Sequence, residues 1–407
     1  MLPGINDKFS ESARTMKRSA IREILKLIQK PEMISFAGGL PSPLSFPVEE
    51  VKEITTHILE TQGAEALQYG TTEGDPLLRE MILKRHAGQG LNAKPENLAI
   101  STGSQQALDI LGKIFIDPGD YVICGLPSYL GGITAFNAYR AKMKGIPFDD
   151  KGMRIDLLEE AVQRLTDLGK KIKFIYIIPD FQNPAGITMP EERRLEILEI
   201  AERYDLLVIE DSPYRDIRFE GTPQKMVYQL DKSGRVITLC TFSKIFAPGF
   251  RVAWLLGHSD IIDKFIMAKQ SADICSPVIL QKIIAEYMQR GLLEKNMGKT
   301  IALYRRRRDL MLECFEKHMP AGVSWTRPEG GLFLFITLPE TINADEAFAR
   351  AVKNNVAFVK GSVFYCNDTG KNTMRINFSY SDDELIEEGI KRLAAVINGM
   401  IAEQDNS

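Results

Sequence analysis

Cysteine is scarce in this sequence: there are five residues among 407, an odd number, and no two have CxxC spacing. They are Cys124, Cys240, Cys275, Cys314 and Cys366. A scattered, odd set excludes a disulfide framework and a cysteine-based zinc site, and it indicates a reducing compartment. The four histidines are equally dispersed and form no HExxH-like pattern, so we expect no bound metal.

Long apolar stretches are also missing. No run of about 18 or more apolar residues occurs, although a membrane-spanning helix needs a run of that length. The first 19 residues contain no apolar segment of the kind that signal peptides carry. We therefore expect a soluble, cytoplasmic protein with no membrane partner.

Neither sign of charge is in large excess. There are 51 Lys and Arg against 54 Asp and Glu, a formal net charge of -3. This balance gives no general attraction for nucleic acid or for an anionic membrane, so we expect neither as a partner. The basic run YRRRR at 304–308 is typical of a solvated helix face.

The sequence does contain a series of short, apolar, β-branched segments separated by helix-like stretches. The apolar segments are 97–101, 120–124, 173–179, 206–211, 235–242 and 251–257. Buried parallel strands covered on both faces have this pattern. The sequence therefore predicts an α/β fold in which a large domain has a mostly parallel sheet covered by helices.

The length of the chain indicates more than one domain, because 407 residues exceed what one hydrophobic core usually supports. Beyond about residue 290 the strands become fewer and the spacers longer, which predicts a smaller α+β C-terminal domain. We divide the chain into an N-terminal arm (1–45), a large domain (46–290) and a small C-terminal domain (291–407).

Small residues stand between the first strand and helix of the series, in the segment STGSQQALD (101–109). Ligands of open α/β sheets bind at the carboxyl ends of the strands. The backbone N–H groups of Gly103, Ser104 and Gln105, at a helix N-terminus, could therefore hold a phosphate. The same turn is also compatible with an ordinary helix cap.

Polar residues also follow the later strands, and each has two interpretations. Asp211 could cap a turn or act as a fixed anion beside a heteroaromatic nitrogen, and Asn183 could form a turn or donate its amide to a ligand. Tyr129 and Tyr214 could be packing residues or ligands. Lys244 could be a surface charge or a catalytic amine.

The order of these motifs resembles that of the fold-type I aminotransferases, which depend on pyridoxal 5′-phosphate, over essentially the whole chain. The segments are ISFAGGLPSPLSFP, LQYGTTEGDPLLRE, STGSQQALD, QNPAG, IEDSPY, TFSKIFAPGFRVAW and RINFSY. They are most similar to the subgroup of 2-aminoadipate and kynurenine aminotransferases, to which the aminotransferase domain of MocR-type regulators is related. Ala185 and Ala253 stand where the family usually has threonine and glycine, and we expect only slight repacking from them.

The resemblance implies catalytic roles for three residues. Lys244 would form a Schiff base with the cofactor aldehyde and would then shuttle the substrate Cα proton. Asp211 would keep the cofactor ring nitrogen protonated. Tyr214, together with Asn183, would donate to the ring oxygen, and Tyr129 would stack on the ring.

The resemblance also implies a phosphate site and a shared interface. The residues that would bind the cofactor phosphate are Gly103, Ser104, Gln105, Ser243 and Arg251. Tyr69 aligns with a tyrosine that reaches the phosphate of the neighbouring subunit. We therefore expect a homodimer in which the two sites share residues.

On the substrate side, the resemblance makes Arg375 the clamp of the α-carboxylate, with Asn183 beside it. Gly39 would approach the same carboxylate with its backbone, because it has no Cβ. Arg22 aligns with a mobile N-terminal segment that contacts the side chain of some substrates.

The implied reaction is the ping-pong transfer of an amino group from an L-amino acid to a 2-oxo acid, with 2-oxoglutarate expected as acceptor. Arg22 favours an acidic or polar side chain, whereas its apolar neighbours favour an aromatic or branched one, so aminoadipate, aromatic and branched-chain substrates all stay open. A β-lyase or another enzyme with the same cofactor is the alternative. A non-catalytic MocR-like sensor is disfavoured, because the roughly 30 residues before ISFAGG are too few for a winged helix.

Overall fold

The structure, a computed structural model, describes residues 4–16 and 32–405. These residues contain an eight-stranded, a four-stranded and a two-stranded sheet. In chain order the strands are β1 Ile34–Ser35, β2 Leu98–Ser101, β3 Tyr121–Leu126, β4 Lys142–Asp149, β5 Gly152–Met153, β6 Ile172–Ile177, β7 Leu207–Asp211, β8 Val236–Thr241, β9 Ala253–Leu256, β10 Ser324–Trp325, β11 Phe333–Thr337, β12 Val356–Ala357, β13 Val359–Lys360 and β14 Thr373–Asn377.

Helices cover the sheets. They are α1 Glu11–Thr15, α2 Val48–Ala66, α3 Pro76–Gly88, α4 Ser104–Phe115, α5 Leu130–Ala138, α6 Ile155–Asp167, α7 Glu191–Arg203, α8 Val227–Leu230, α9 Ser259–Asp273, α10 Val278–Gln289, α11 Leu292–His318, α12 Ala344–Lys353 and α13 Asp383–Asp405. Short 3₁₀ helices span Ile5–Lys8, Pro43–Ser45, Pro95–Asn97, Pro248–Phe250 and Gly361–Phe364. Within the described part of the chain, no helix combines the length and apolarity needed to cross a membrane.

The large sheet has the strand order β2-β9-β8-β7-β6-β3-β4-β5. The run from β8 to β4 is parallel, which confirms the predicted α/β class, and every residue of β7 from Val208 to Asp211 is buried. Strand β9 runs antiparallel to both β8 and β2, because the connection from Thr241 to Ala253 turns the chain back through a short 3₁₀ helix. The parallel strands therefore end together at one edge.

Helix α4 shows how the sheet is covered. Its buried residues include Ala107, Leu108 and Leu111, whose spacing places them on one face of the helix. Fully burying one leucine side chain contributes about 2 kcal/mol to folding. This packing fixes the N-terminus of α4 against the carboxyl end of β2, where the predicted phosphate turn lies.

A smaller antiparallel sheet lies in the C-terminal part of the chain, with the order β10-β11-β14-β13. Gly291, at φ +70, separates α10 from the long helix α11, at the predicted boundary. Strand β1 pairs in parallel with β12, with Ile34 opposite Val356. Strand β1, which precedes the large sheet in the chain, therefore packs with the C-terminal region.

The basic run at 304–308 is a solvated helix face only in part, since Arg305 and Arg306 are exposed and the other three residues are not. Tyr304, Arg307 and Arg308 are buried, with 0%, 1% and 3% of their surfaces exposed. Arg307 donates to Asp382 at 2.6 Å, and Arg308 donates to Glu220 at 2.7 Å. The prediction is wrong for Arg307 and Arg308, because carboxylates that are distant in sequence accept hydrogen bonds from these two guanidinium groups.

Candidate active site

A cavity of about 460 Å³ opens at the carboxyl ends of the parallel strands. It brings together most of the residues that the sequence predicts for the site. Those that line it are Gly39, Ser104, Gln105, Tyr129, Asn183, Asp211, Tyr214, Ser243, Lys244, Arg251 and Arg375. Strands that are distant in sequence end side by side here, as expected for this sheet type.

Asp211, the last residue of β7, presents a half-satisfied carboxylate to the cavity. Its Oδ2 accepts a hydrogen bond of 2.8 Å from the hydroxyl of Tyr176, whereas Oδ1 is buried and has no hydrogen-bond partner among the described residues. Only 2% of the residue is exposed, and burial raises the pKa of Asp211 to about 7. A cationic partner at Oδ1 would therefore stabilise the ionised carboxylate.

Asn183 connects Tyr214 with Arg375. The guanidinium of Arg375 donates from Nη1 to Oδ1 of Asn183 at 2.9 Å, and the amide Nδ2 donates to the Tyr214 hydroxyl at 3.3 Å. Arginine can only donate, so it fixes the orientation of the amide. The Tyr214 hydroxyl accepts this bond and keeps its own proton for another acceptor, because burial raises the pKa of Tyr214 above its ordinary value.

Arg375, in β14, is buried with 1% of its surface exposed. Its Nη2 donates to the carbonyl of Ala37 at 2.9 Å, and its guanidinium lies 4.2 Å and 5.1 Å from the ring centroids of Phe333 and Phe364. No carboxylate of the described residues forms an ion pair with it, and its Nε is buried without a partner there. Burial lowers the pKa of Arg375 to about 10.

Lys244 follows β8, and its Nζ donates to the carbonyl of Gly39 at 2.8 Å. Burial, reinforced by the positive charges of Arg375 and Arg251, lowers the pKa of Lys244 to about 8. An appreciable fraction of this amine is therefore neutral near pH 7, unlike that of a surface lysine. A neutral amine can act as a nucleophile and as a base.

The opposite end of the cavity is suited to an anion. Gly103 is the N-cap of α4, at φ +81, and no side chain caps the helix there. The hydroxyl of Ser104 is buried without a partner in the described part of the chain. Arg251 donates to Ser243 Oγ at 3.2 Å, and a Cβ on Gly103 would lie 2.1 Å from Nη2 of Arg251. Only glycine therefore allows this arginine to approach the helix N-terminus.

Tyr129 and Gln105 lie on the wall between the two ends. Gln105 donates to the carbonyl of Gly131 at 2.9 Å, and the Tyr129 hydroxyl lies 3.5 Å from Gln105 Oε1. These contacts hold the Tyr129 ring at the edge of the cavity, directly before α5.

Of the predicted residues that the structure describes, Gly103 and Tyr69 do not line this cavity; Gly103 lies directly before Ser104, at the N-cap of α4. Tyr69 lies on the surface with 77% of its area exposed, between α2 and α3. Arg22 lies outside the described residues.

The sequence-based prediction missed three aromatic residues. Tyr176 bonds Asp211, and Phe333 and Phe364 flank Arg375. Tyr176 did carry a signal, because a tyrosine within a continuously apolar strand needs a buried partner for its hydroxyl. The two phenylalanines carried none, since their relation to Arg375 is set by the sheet of the C-terminal region.

The residues present fit pyridoxal 5′-phosphate. The unpartnered Oδ1 of Asp211 matches a protonated ring nitrogen, and Lys244 supplies an amine of lowered pKa for the aldehyde. The uncapped N-terminus of α4, with Ser104 and Arg251, matches a phosphate. The fold and the site together define a fold-type I enzyme that uses this cofactor. Within residues 4–16 and 32–405, no cluster of three or more His, Cys, Asp or Glu could hold a metal ion.

Comparison with known proteins identifies the family. The family described as aminotransferase class I and II matches residues 31–393. Aromatic-amino-acid aminotransferase 1 of Thermococcus litoralis is 48% identical over 96% of this chain and 94% of its own, and 2-aminoadipate transaminase of Thermus thermophilus is 37% identical over 98% of each. The crystal structure of Pyrococcus horikoshii kynurenine aminotransferase has a TM-score of 0.95 at 46% identity, covering 98% of this chain and 99% of that one.

The chain belongs to the aminotransferase class I and II family. It is a pyridoxal 5′-phosphate-dependent aminotransferase.

Proposed function

We propose that this enzyme transfers the amino group of an L-amino acid to a 2-oxo acid, with Lys244, Asp211 and Tyr214 as its catalytic residues. The observation that carries the proposal is that Lys244, an unpaired buried carboxylate and an unpaired buried arginine line one cavity. When bound, the cofactor supplies an aldehyde and a protonated ring that withdraws electrons from the substrate Cα.

Four residues hold the cofactor ring in this proposal. Oδ1 of Asp211 accepts the ring N–H and keeps it charged. The free proton of the Tyr214 hydroxyl and the amide of Asn183 are directed to the ring oxygen, which supports its anionic form. Tyr129 packs against the face of the ring. These roles agree with the orphaned Oδ1 and with the orientation of the Asn183 amide.

The phosphate binds at the N-terminus of α4. Backbone N–H groups of Gly103, Ser104 and Gln105 donate to it, as does the Ser104 hydroxyl, which has no other partner among the described residues. Arg251 and Ser243, already joined by a hydrogen bond, add charge and a further donor.

Lys244 moves the proton at the substrate Cα. With the cofactor bound, the neutral amine of Lys244 would take up this proton as a base and later give it up again. The positive charges of Arg375 and Arg251 favour the neutral amine that this step needs. The carbonyl of Gly39 orients Nζ before the reaction begins.

Arg375 binds the α-carboxylate of the substrate, because it is a buried guanidinium without an ion-pair partner in the described structure. Asn183 fixes one edge of this guanidinium, and the backbone of Gly39 approaches the same carboxylate. We assign the cofactor to the large domain, 46–290, and the carboxylate clamp to the small C-terminal domain, 291–407, together with the arm, 1–45.

We further propose that the active unit is a cytoplasmic homodimer. Tyr69 is largely exposed and does not line the cavity of its own protomer, which suits a contact with the phosphate in the partner's site. The five cysteines are all free thiols, which suits a reducing cytoplasm.

The preferred amino donors in this proposal are large apolar or aromatic amino acids, with 2-oxoglutarate as acceptor. Leu40, Leu130, Ile178 and Phe333 give the cavity an apolar wall. Relatives named for aromatic amino acids and kynurenine support this choice. Arg22 would extend the range to acidic side chains such as that of aminoadipate.

A panel of L-amino acids with 2-oxoglutarate as acceptor tests the proposal, with glutamate formation as the readout. We expect phenylalanine, tyrosine or kynurenine to give the highest kcat/KM, and Arg22→Ala to lower kcat/KM for aminoadipate alone. Release of pyruvate and ammonia from amino acids with a β leaving group, without any need for a 2-oxo acid, would instead indicate a β-lyase.

A further inference from the structure

The hydroxyl of Tyr176 has one hydrogen-bond partner in the cavity, and that partner is Asp211. Tyr176 lies in β6 opposite Ile209 of β7. Side chains alternate along a strand, so Tyr176, Ile209 and Asp211 lie on the same face of the sheet. The ring is fully buried, and its hydroxyl lies 2.8 Å from Oδ2 of Asp211.

Helix α5 fixes the position of this tyrosine ring. A Cβ on Gly132 would lie 2.9 Å from Cε1 and Cζ of Tyr176, so the ring fills the space that a larger residue would occupy. One turn further, Phe136 packs edge-on against the ring with 5.4 Å between centroids. The phenol therefore cannot swing away from Asp211 without disturbing the contact between the helix and the sheet.

The direction of the hydrogen bond is also fixed. Burial and the neighbouring charge of Asp211 raise the pKa of Tyr176 well above its ordinary value, so the phenol keeps its proton and donates. This donation opposes the effect of burial, so the pKa of Asp211 rises less than burial alone would raise it. It occupies Oδ2 and leaves Oδ1 as the available oxygen.

We propose that Tyr176 is a positioning residue that orients the Asp211 carboxylate and reserves an ionised Oδ1 for the cofactor ring nitrogen. The inference rests on the proposed role of Asp211. A carboxylate and a ring nitrogen compete for one proton. A carboxylate without the phenol is more basic and draws that proton away from the ring, which weakens the electron withdrawal that the reaction needs.

The first test uses the apo protein and does not depend on activity. The Asp211 carboxyl is followed by ¹³C NMR against pH, and its signal is assigned by its loss in Asp211→Asn. We expect Tyr176→Phe to move the Asp211 midpoint upward, with a roughly tenfold lower proton dissociation constant. An unchanged midpoint would overturn the proposal even if the wild-type enzyme transfers amino groups normally.

The second test uses the holoenzyme. Tyr176→Phe should lower kcat about tenfold with KM nearly unchanged, and the ¹⁵N shift of labelled cofactor should move toward an unprotonated ring nitrogen. In an Asp211→Asn background the same change should have no further effect on kcat, because the phenol acts only through this carboxylate. If Tyr176→Phe lowered kcat by the same factor in the Asp211→Asn background as in the wild-type enzyme, the proposal would be contradicted.

Tyr139→Phe is the matched control, since the Tyr139 phenol is hydrogen-bonded to the Asp109 carboxylate outside the cavity. It should leave the Asp211 midpoint and kcat at wild-type values. If Tyr176→Phe fails to fold, 3-fluorotyrosine at position 176 preserves the ring and strengthens the donor. The Asp211 midpoint should then move downward, and an upward or absent shift would refute the role of the hydrogen bond.

Discussion

Adjacent residues on β7 carry two buried carboxylates with different surroundings. Glu210 is fully buried, and its oxygens accept hydrogen bonds from the backbone N–H of Val227, the backbone N–H of Tyr228 and the hydroxyl of Thr238. Asp211, on the opposite face, has one oxygen bonded by Tyr176 and one oxygen without a partner among the described residues. Glu210 ties β7 to β8 and α8, whereas Asp211 is left ready for a ligand.

The buried arginines show the same contrast. Both nitrogens at the end of Arg194 donate to Asp180, at 3.2 Å and 2.9 Å, in a region where neither residue is exposed by more than 1%. Arg375 is equally buried, but within the described part of the chain it is bonded only to neutral groups, the carbonyl of Ala37 and the amide of Asn183. The supporting core satisfies both oxygens of Glu210 with hydrogen bonds and Arg194 with an ion pair, whereas Asp211 and Arg375 in the cavity have no ion-pair partner among the described residues. Unpaired buried charges are costly, so their concentration in one cavity indicates that a ligand supplies the missing partners.

The largest effect should come from Lys244→Ala. Removal of the amine should reduce amino transfer to an undetectable level, because Lys244 is the one lysine that lines the cavity among the described residues, and its amine is the group proposed to hold the cofactor and move the Cα proton. The cofactor itself should still bind, since its ring and phosphate contacts are intact. Glutamate formation and cofactor content are the measurements. Lys282→Ala, which removes a lysine paired with Glu65 outside the cavity, is the control and should keep full activity.

Exchanging the two carboxylates of β7 for amides should separate function from stability. Asp211→Asn should lower kcat by about 10²- to 10³-fold and leave the free energy of unfolding of the apo protein unchanged or higher, because an unsatisfied charge is removed. Glu210→Gln should lower the free energy of unfolding by about 1–3 kcal/mol and spare kcat. Denaturant titration and steady-state kinetics measure the two effects. A loss of kcat in Glu210→Gln, or a loss of stability in Asp211→Asn, would show that the comparison is wrong.

Arg375 and Arg194 should differ in the same way, one affecting function and the other stability, with a smaller effect on catalysis than the two carboxylates have. Arg375→Met should raise KM for the amino acid by about 10²-fold without lowering the free energy of unfolding. Arg194→Met removes both hydrogen bonds from this arginine to the buried Asp180 and leaves it the longer contact with Arg218 at 3.5 Å, so it should lower the free energy of unfolding by about 3–5 kcal/mol while the folded enzyme keeps its KM. An Arg375→Met variant with a normal KM would exclude this residue as the carboxylate clamp.

The smallest effect concerns pH. Only the neutral amine of Lys244 attacks the aldehyde, so the rate of covalent cofactor attachment to the apo protein should rise with pH through a midpoint near 8, not near the ordinary 10.5. Arg375→Met should raise this midpoint, because it removes a positive charge that favours the neutral amine. Borohydride trapping followed by mass spectrometry measures the rate. A midpoint that does not respond to Arg375→Met would mean that the two groups are not coupled.

The sequence alone allowed the α/β class and most of the cavity to be predicted. Residues such as Asp211, Ser104 and Lys244 follow strands directly, and parallel strands bring such positions to one edge whatever their order. The strand order itself, and the reversal at β9, depend on how the connections cross the sheet, which local periodicity does not encode. The burial of Arg307 and Arg308 was missed for a related reason, since their carboxylate and carbonyl partners come from other parts of the chain.

The amide of Asn183 has a consequence for communication inside the enzyme. One of its ends is bonded to the arginine proposed to receive the substrate carboxylate, and the other to the tyrosine proposed to serve the cofactor oxygen. Because the amide is planar, we expect an acid that binds Arg375 to alter the hydrogen bond between Asn183 and the Tyr214 hydroxyl as well. Thermodynamic reciprocity then requires that the protonation of the cofactor oxygen alter the affinity for the acid by the same factor. Asn183 would thereby couple the binding of the substrate acid to the protonation of the cofactor oxygen.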